Sequence, residues 1–193
     1  LNCETLALRV RAVNAGGSSL PSAVAIARPR AAGKRVLWVD GVRRVVQTVL
    51  EGPESPKFAA WMLDDLRSLS RADLHLLSAD ARRIADGAVD LTDFDLVIWS
   101  AGETSTRDGS LLEEEMQALE EFLAQGGYLL LSGAEIGWDL VAHGDPTQAR
   151  FYHDVLGAEY LADAGDGSVL SNAGGTLLGA LPDLAIDDGT KGR

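Results

Sequence analysis

The chain has little of several residue types that would point directly to a function. It contains one cysteine, Cys3, among 193 residues, so no disulfide can form within it and no cysteine-based metal site is available. Its 29 acidic residues outnumber its 17 basic residues, which gives a formal net charge of -12. A nucleic-acid surface needs clustered Lys and Arg to displace counterions, so we expect no nucleic-acid partner.

Long apolar runs and nucleotide-binding motifs are also lacking. No run approaches the roughly 20 apolar residues that cross a bilayer, so we expect no membrane span. The first predicted strand is not followed by Gly-x-Gly-x-x-Gly, and no Gly-Lys-Ser/Thr occurs, which argues against dinucleotide and P-loop sites. The Asp- and Gly-rich stretch 163–168 lacks the spacing of an EF-hand loop. We therefore expect no cofactor and no bound metal.

The composition of the chain is typical of a folded domain. Hydrophobic residues make up 46% of the chain and charged residues 24%, a balance that can bury a core. The length of 193 residues suits one full domain with a fragment of another, or one large domain. Basic residues adjoin each other at 34–35, 43–44 and 82–83, and we expect all three pairs to lie on solvated faces.

The first thirty residues have the pattern of a β-hairpin. Leu6, Leu8 and Val10 alternate with other residues at the period of a half-buried strand. A turn cluster, NAGGSS, covers residues 14–19, and an apolar-rich strand resumes at 22–27. Residues 29–34 then form a short linker, because Pro and Gly punctuate them.

Beyond the linker, apolar runs alternate with helical patterns. Continuous apolar runs predict four strands, and apolar residues at steps of three and four predict helices. The predicted strands cover 36–39, 73–77, 94–99 and 128–131, and the predicted helices cover 55–69, 112–123 and 147–156. Residues 81–91 are expected to be irregular, with at most one helical turn.

The longest helical pattern has recognisable ends. Ser110 and Glu113 have the spacing of a capping box, and Gly126 stands where a C-terminal cap glycine belongs. The glutamates of this helix are expected to face mostly outward: Glu113, Glu114, Glu115, Glu120 and Glu121.

These elements predict the fold class. The order strand, helix, strand occurs twice along the chain, and this order implies crossovers between parallel strands. We predict an α/β fold, a flavodoxin-like or Rossmann-like three-layer parallel sheet preceded by a short all-β fragment. After residue 157 the apolar pieces at 158–161, 169–170 and 176–178 are expected to form edge strands and loops, and the domain is expected to be truncated at its C-terminus.

The segment 126–139, GGYLLLSGAEIGWD, places an acidic side chain at a tight turn. Its apolar run predicts a buried strand that leads through a Ser-Gly pair into a helix. Ligands of open α/β sheets bind outside the carboxyl ends of the strands, so chemistry is expected here. We select Glu135 and Asp40 as candidate catalytic carboxylates. The candidate ligand-binding residues at the same strand ends are Gly41, Ser100, Gly102, Glu103, Ser132 and Gly133.

The first hairpin resembles the last two strands of a fibronectin type III domain. The matching positions are Leu8, Arg9, Val10, Ala12, Asn14, Gly17, Ser19, Pro21 and Ser22. That family has a tyrosine near the start of this strand, where Leu6 stands here. The resemblance implies that residues 1–28 are the C-terminal part of such a domain, with 29–34 as the linker and 35–193 as a second domain.

Residues 33 to about 178 resemble the class I glutamine amidotransferase-like fold. The resemblance is carried by Val-Asp-Gly at 39–41, Ile-Trp-Ser-Ala-Gly at 98–102 and the Gly-Gly strand with its Ser-Gly turn at 126–133. It is closest to divergent members attached to fibronectin type III modules in large bacterial extracellular proteins, including xanthan lyase-like and cell-wall amidase-like ones.

The resemblance does not extend to the catalytic residues. In true amidotransferases the turn reads Gly-x-Cys-x-Gly, and Glu135 stands here at the position of the cysteine. A carboxylate cannot replace the attacking thiolate, so we do not expect glutamine hydrolysis. The family's late His-x-Glu pair is also missing. We expect none of the three histidines, His75, His143 and His153, to act as a catalytic base.

The resemblance implies an accessory, non-catalytic module of a secreted or cell-envelope multidomain protein. Its expected partners are polysaccharide or peptidoglycan, or other domains of the same longer chain. The alternative is a hydrolase of cell-wall or polysaccharide substrates in which Glu135 and Asp40 act as acid and base. A third interpretation is structural: the chain is a spacer, and Glu135 accepts hydrogen bonds from backbone N–H groups as the cap of the following helix.

Overall fold

A computed structural model describes residues 5–19, 22, 24–29, 33–43, 74–163, 169–170 and 182–185. The chain divides into two compact units, Leu1–Glu159 and Tyr160–Arg193. The strands of the first unit are β1 (Leu6–Leu8), β2 (Val13–Asn14), β3 (Gly17–Ser18), β4 (Ala25–Arg28), β5 (Lys34–Asp40), β6 (Leu74–Asp80), β7 (Leu96–Gly102) and β8 (Tyr128–Gly133). The predicted helix at 55–69 and apolar piece at 176–178 lie outside the described residues.

The helices of the first unit are short, apart from one. They are α1 (Arg82–Ala85), α2 (Glu113–Ala124) and α3 (Pro146–Arg150), with a 3-10 turn at Leu91–Asp93 and π-helical segments at Trp138–Ala142 and Phe151–Val155. The single helical turn expected within 81–91 is thereby confirmed. In the second unit, β9 (Val169–Leu170) pairs antiparallel with β10 (Leu184–Ala185).

Six strands form one sheet in the order β1-β4-β6-β5-β7-β8. Strands β6, β5, β7 and β8 are parallel, whereas β4 runs antiparallel to β6 and β1 antiparallel to β4. The α/β class is confirmed, and the sheet is mixed and mostly parallel rather than wholly parallel. The predicted first hairpin is present, and its second strand joins this sheet, where Ala27 lies opposite Leu77. Strand β1 is exposed throughout, so the half-buried strand predicted there is wrong.

One face of the parallel strands carries the main core. Alternate residues of β5 and β7 point to this face, where Val39, Val97 and Trp99 are completely buried. Helix α2 packs against them with apolar residues spaced three apart, among them Leu119 and Phe122. Burying a side chain of this size contributes about 1.5–3 kcal/mol.

The opposite face holds a smaller apolar cluster. Trp38 of β5 packs there with Val24 and Ile26, which belong to the first hairpin. The Ile26 N–H also donates a hydrogen bond to Ser78 Oγ of β6 at 2.7 Å. The hairpin therefore covers an aromatic side chain of the α/β sheet.

Helix α2 begins later than predicted. Its cap residue is Leu112, whose N–H donates to Glu115 Oε2 at 2.9 Å. The capping box predicted at Ser110 and Glu113 is therefore wrong. At the other end, Gly126 has a φ of 86°, the left-handed conformation that favours glycine, so the predicted cap glycine is confirmed.

The helix predicted at 147–156 is confirmed as α3 and the π-helical segment after it. It begins at the cap residue Asp145, whose carboxylate accepts hydrogen bonds from two backbone N–H groups at 2.7 and 3.0 Å. Residues 158–161 form no strand, so the edge strand predicted there is wrong, while the predicted strand at Val169–Leu170 is present.

Candidate functional site

Four polar side chains lie in register across the carboxyl ends of the parallel strands. Asp80 of β6 is opposite Asp40 of β5, Asp40 is opposite Ser100 of β7, and Ser100 is opposite Ser132 of β8. We call these four residues the polar row. Neighbouring strands are about 4.8 Å apart, so the row extends for about 15 Å along the edge of the sheet.

Asp40 orients the loop that follows its own strand. It is partly buried, and its Oδ1 accepts a hydrogen bond from the Val42 N–H at 3.2 Å. The Gly41 N–H donates to the Ser100 carbonyl at 2.8 Å, and the Ala81 N–H donates to the Asp40 carbonyl at 2.9 Å. Backbone hydrogen bonds thus hold the ends of three strands together beneath the polar row.

Asp80 was not selected from the sequence. Its carboxylate accepts hydrogen bonds from Arg82 Nε at 2.8 Å and Arg82 Nη2 at 2.6 Å. These side-chain hydrogen bonds to Arg82 lower the pKa of Asp80 below its ordinary value, against the opposing effect of partial burial. Asp80 is therefore an ionised, paired carboxylate next to Asp40.

Gly41 is packed against the indole of Trp99. A Cβ at position 41 would lie 2.5 Å from Trp99 Nε1 and 3.0 Å from the Ser100 carbonyl oxygen. Trp99 Nε1 is buried and has no hydrogen-bond acceptor within the part of the chain that the structure describes. The first residue after β5 must therefore be glycine for the loop to lie this close to β7.

The candidate residues Gly102 and Gly133 lie at a second point of close packing, between the ends of β7 and β8. They lie opposite each other at an irregularity in the pairing of β7 with β8. Gly102 has a φ of 58°, and a Cβ on Gly133 would lie 2.9 Å from the Ala101 Cβ. The Ala134 N–H then donates to the Gly102 carbonyl at 2.8 Å. The two strands therefore end side by side, and the exposed Glu103 follows Gly102 directly.

Glu135 lies two residues beyond the end of β8 and is partly buried. Its backbone carbonyl accepts a hydrogen bond from the Asp139 N–H at 2.8 Å. Helical residues begin directly after it, at Ile136, but among the residues that the structure describes no donor reaches the Glu135 carboxylate. The interpretation of Glu135 as a helix cap is therefore wrong.

Two of the three histidines make contacts away from Glu135. The ring of His143 lies against Trp138, with ring centroids 4.3 Å apart. His153 Nδ1 is 2.9 Å from the Ala158 carbonyl oxygen. His75 lies within β6, ahead of its carboxyl end.

A buried ion pair joins the loop after β5 to helix α2. Arg43, in the loop after β5, binds both carboxylate oxygens of Glu115 in the first turn of α2. The Glu115 side chain is 0% exposed and that of Arg43 is 15% exposed. The predictions that Glu115 faces outward and that Arg43 lies on a solvated face are both wrong, because each charge is buried against the other.

Hydrogen bonds extend from this pair to the neighbouring loops. Arg43 Nη1 donates to the Ser110 carbonyl at 3.2 Å, and the Arg43 N–H donates to Thr104 Oγ1 at 3.1 Å. The Ser110 N–H donates to the buried carboxylate of Asp139, in the segment after β8. We call Arg43, Thr104, Ser110, Glu115 and Asp139 the buried network. It joins the loops after β5, β7 and β8.

Sequence reasoning found neither the buried network nor Asp80. The exposure rule places lone charged residues on the surface, and only the fold brings Arg43 to a partner 72 residues away. The sequence did contain one indication. Glu115 stands three residues after Leu112, which is the spacing between the cap residue and the glutamate of a capping box.

The described residues do not form a metal site or a membrane span. Within these ranges no three or more His, Cys, Asp or Glu side chains are grouped to hold a metal ion. No helix in the same ranges is long and apolar enough to cross a bilayer. Comparison of the chain with protein-family models and with curated proteins gives no match.

Proposed function

We propose that the chain is an accessory, non-catalytic amidotransferase-like module of a secreted multidomain bacterial protein. In this proposal a flavodoxin-like domain follows the end of a fibronectin type III domain and binds polysaccharide or peptidoglycan at the cell envelope. The observation that carries the proposal is the turn after β8, where Gly133 and Gly137 flank Glu135 instead of a nucleophilic cysteine.

The surroundings of the turn support a role without glutamine hydrolysis. That reaction needs a thiolate and a positioned base. The nucleophile position holds a carboxylate, and His143 and His153 are engaged with Trp138 and the Ala158 carbonyl.

The polar row supports the binding of a sugar. Its two hydroxyls and two carboxylates lie on adjacent strands in register, and a buried network fixes the loops beside them. Sugar hydroxyls are recognised by such donors and acceptors when rigid elements hold them in place. The net charge of -12 favours neutral sugars or amino sugars over acidic ones.

A hydrolase acting on the same substrates is the second candidate. It is favoured by the finding that the Glu135 carboxylate is not used as a helix cap among the described residues. Asp40 ends β5, and Glu135 follows β8. Strand β7 lies between β5 and β8, so the backbones of these two strands are about 10 Å apart. In this candidate the two carboxylates act on opposite sides of a bound glycosidic or amide bond.

Calorimetric titration with muropeptides and neutral oligosaccharides tests both candidates. We compare the parent chain with Asp40→Asn, Glu135→Gln and the control Glu113→Gln, whose side chain is exposed on α2. The module predicts binding that weakens in Asp40→Asn, is unchanged in the control, and is accompanied by no turnover. Turnover that is lost in Glu135→Gln while the variant still binds would replace the module with the hydrolase. No binding by the parent would refute both.

A further inference from the structure

Strand β8 forms one edge of the six-stranded sheet. Among the described residues it pairs with β7 alone. The Tyr128 N–H donates to the Asp95 carbonyl at 3.0 Å, so the backbone groups of Tyr128 are directed towards β7. Because the direction alternates along a strand, those of Leu130 are directed towards β7 as well. The backbone groups of the alternate residues, Leu129 and Leu131, are then directed towards the open edge. They offer an extended chain a ladder of donors and acceptors.

The β8 edge lacks the features that protect most sheet edges. Native edge strands usually carry Lys or another charged residue, contain Pro, or are very short. Residues 125–134, QGGYLLLSGA, contain no charged side chain in a chain whose charged fraction is 24%. The opposite edge, β1, has only three residues and is followed closely by Arg9 and Arg11. The two edges of the same sheet therefore differ in their protection.

The side chains of β8 also differ between its two faces. Leu129 and Leu131 pack against the main core, whereas Tyr128 is 62% exposed and Leu130 is 54% exposed. Tyr128 and Leu130 thus form an exposed apolar patch beside the edge of the sheet, which a partner strand can contact.

We propose that β8 is a homodimer interface, where a second copy of this chain pairs with it in antiparallel orientation. Two copies that each carry a net charge of -12 repel each other over most of their surface. They can approach most closely at an uncharged stretch, and self-pairing of residues 125–134 brings no like charges together. A two-fold contact of this kind closes on itself and joins the two sheets into one.

The backbone pattern limits this dimer to registers in which outward-directed residues meet, and we choose the one that sets the exposed Leu130 side chains of the two copies against each other. With the two-fold axis at Leu130, the outward backbone groups of Leu129 exchange hydrogen bonds with those of the partner's Leu131. Leu130 then lies opposite the partner's Leu130 in a non-hydrogen-bonded pair, where Cα atoms are about 4.5 Å apart. Tyr128 lies opposite the partner's Ser132. Each Leu130 side chain is thereby partly covered by the partner's Leu130. This dimer does not depend on the proposed function.

Sedimentation velocity across the micromolar range tests the dimer. We expect twice the mass of one chain for the parent, loss of the dimer in Leu130→Lys, and an unchanged dimer in Leu8→Lys. The last variant is a matched control, because Leu8 is 61% exposed on the opposite edge. A monomeric parent, a dimer that survives Leu130→Lys, or loss of the dimer in both variants would overturn the proposal.

Disulfide trapping tests the register even if Leu130→Lys fails to fold. In a Cys3→Ser background, Leu130→Cys places two thiols opposite each other within the Cα distance that a disulfide requires. We expect mild oxidation to give a covalent dimer. Ser132→Cys is the control, because its thiol lies opposite the partner's Tyr128. Equal cross-linking of both variants, or of neither, would refute this register and the dimer built on it.

Discussion

Substitution of Glu115 by Gln should destabilise the chain much more than the same substitution elsewhere on α2. Glu115 is fully buried, and its carboxylate binds Arg43 and the Leu112 N–H. Gln keeps the size of the side chain and one oxygen acceptor for the Leu112 N–H. It removes the charge that compensates Arg43, whose side chain is 15% exposed. The perturbation therefore isolates the buried ion pair.

The expected loss can be worked out from this geometry. Removing one partner of a buried ion pair costs about 3–5 kcal/mol, because the remaining charge stays buried without compensation. A domain whose urea m-value is about 2 kcal/mol/M would then unfold at a midpoint about 1.5–2.5 M lower. Arg43→Met should cause a loss of the same order, since it leaves the Glu115 charge with a single backbone donor.

Equilibrium urea unfolding at neutral pH measures this loss, with Glu120→Gln as the matched control. Glu120 lies on the same helix and pairs with Arg150, but both of these side chains are more than 40% exposed, at 43% and 45%. The control should shift the midpoint only slightly, because exposed pairs are screened by solvent. The double variant Arg43→Met with Glu115→Met should be more stable than either single variant, because it removes both buried charges.

Two results would refute this account of the buried pair. One is a midpoint for Glu115→Gln no lower than that of Glu120→Gln. The other is additivity of the losses of Arg43→Met and Glu115→Met in their double variant, since residues that contact each other should show coupling of at least about 0.5 kcal/mol.

Two further predictions concern the edge of the sheet. Gly41→Ala should lower the urea midpoint by the equivalent of about 1–3 kcal/mol, because its Cβ would lie 2.5 Å from Trp99 Nε1; an unchanged midpoint would contradict the close packing of this loop. Asp80→Asn should be less stable than the parent at neutral pH. Arg82 lowers the pKa of Asp80 in the folded chain, so the stabilisation is present above the ordinary aspartate pKa and is lost as the pH falls through the lower folded value. The urea midpoints of the two proteins should therefore differ at neutral pH and coincide in strong acid. A difference that persists in acid would argue against a stabilising ion pair between Asp80 and Arg82.

The parallel strands could be predicted because each contains a continuous apolar run, but their ends could not. The prediction for β7 stopped at Trp99, the last large apolar residue, whereas the strand continues to Gly102. The prediction for β6 stopped at Leu77, and the strand continues to Asp80. Backbone pairing continues past the apolar run because the ladder of hydrogen bonds does not depend on side-chain polarity. Asp80 was missed for this reason.

The candidate site was predicted in part. Parallel strands end at one edge of a sheet, and this rule placed Asp40, Ser100 and Ser132 at neighbouring strand ends, where the register places them. The partners of Glu115 could not be predicted, because a one-dimensional pattern contains no information about which loop will cross the start of a helix. Helix capping was one interpretation of Glu135, but no backbone N–H among the described residues reaches its carboxylate.

The pairing of β4 with β6 matters for anyone who expresses a shortened form of this chain. A fragment that starts at the linker would lose β4 and make β6 the outermost strand, so the side of β6 that now pairs with Ala27 and Arg28 would be left open. It would also uncover Trp38, which Val24 and Ile26 now cover. Such a fragment would be prone to aggregate through its new edge. A well-behaved truncation should therefore keep the residues from Val24 onward.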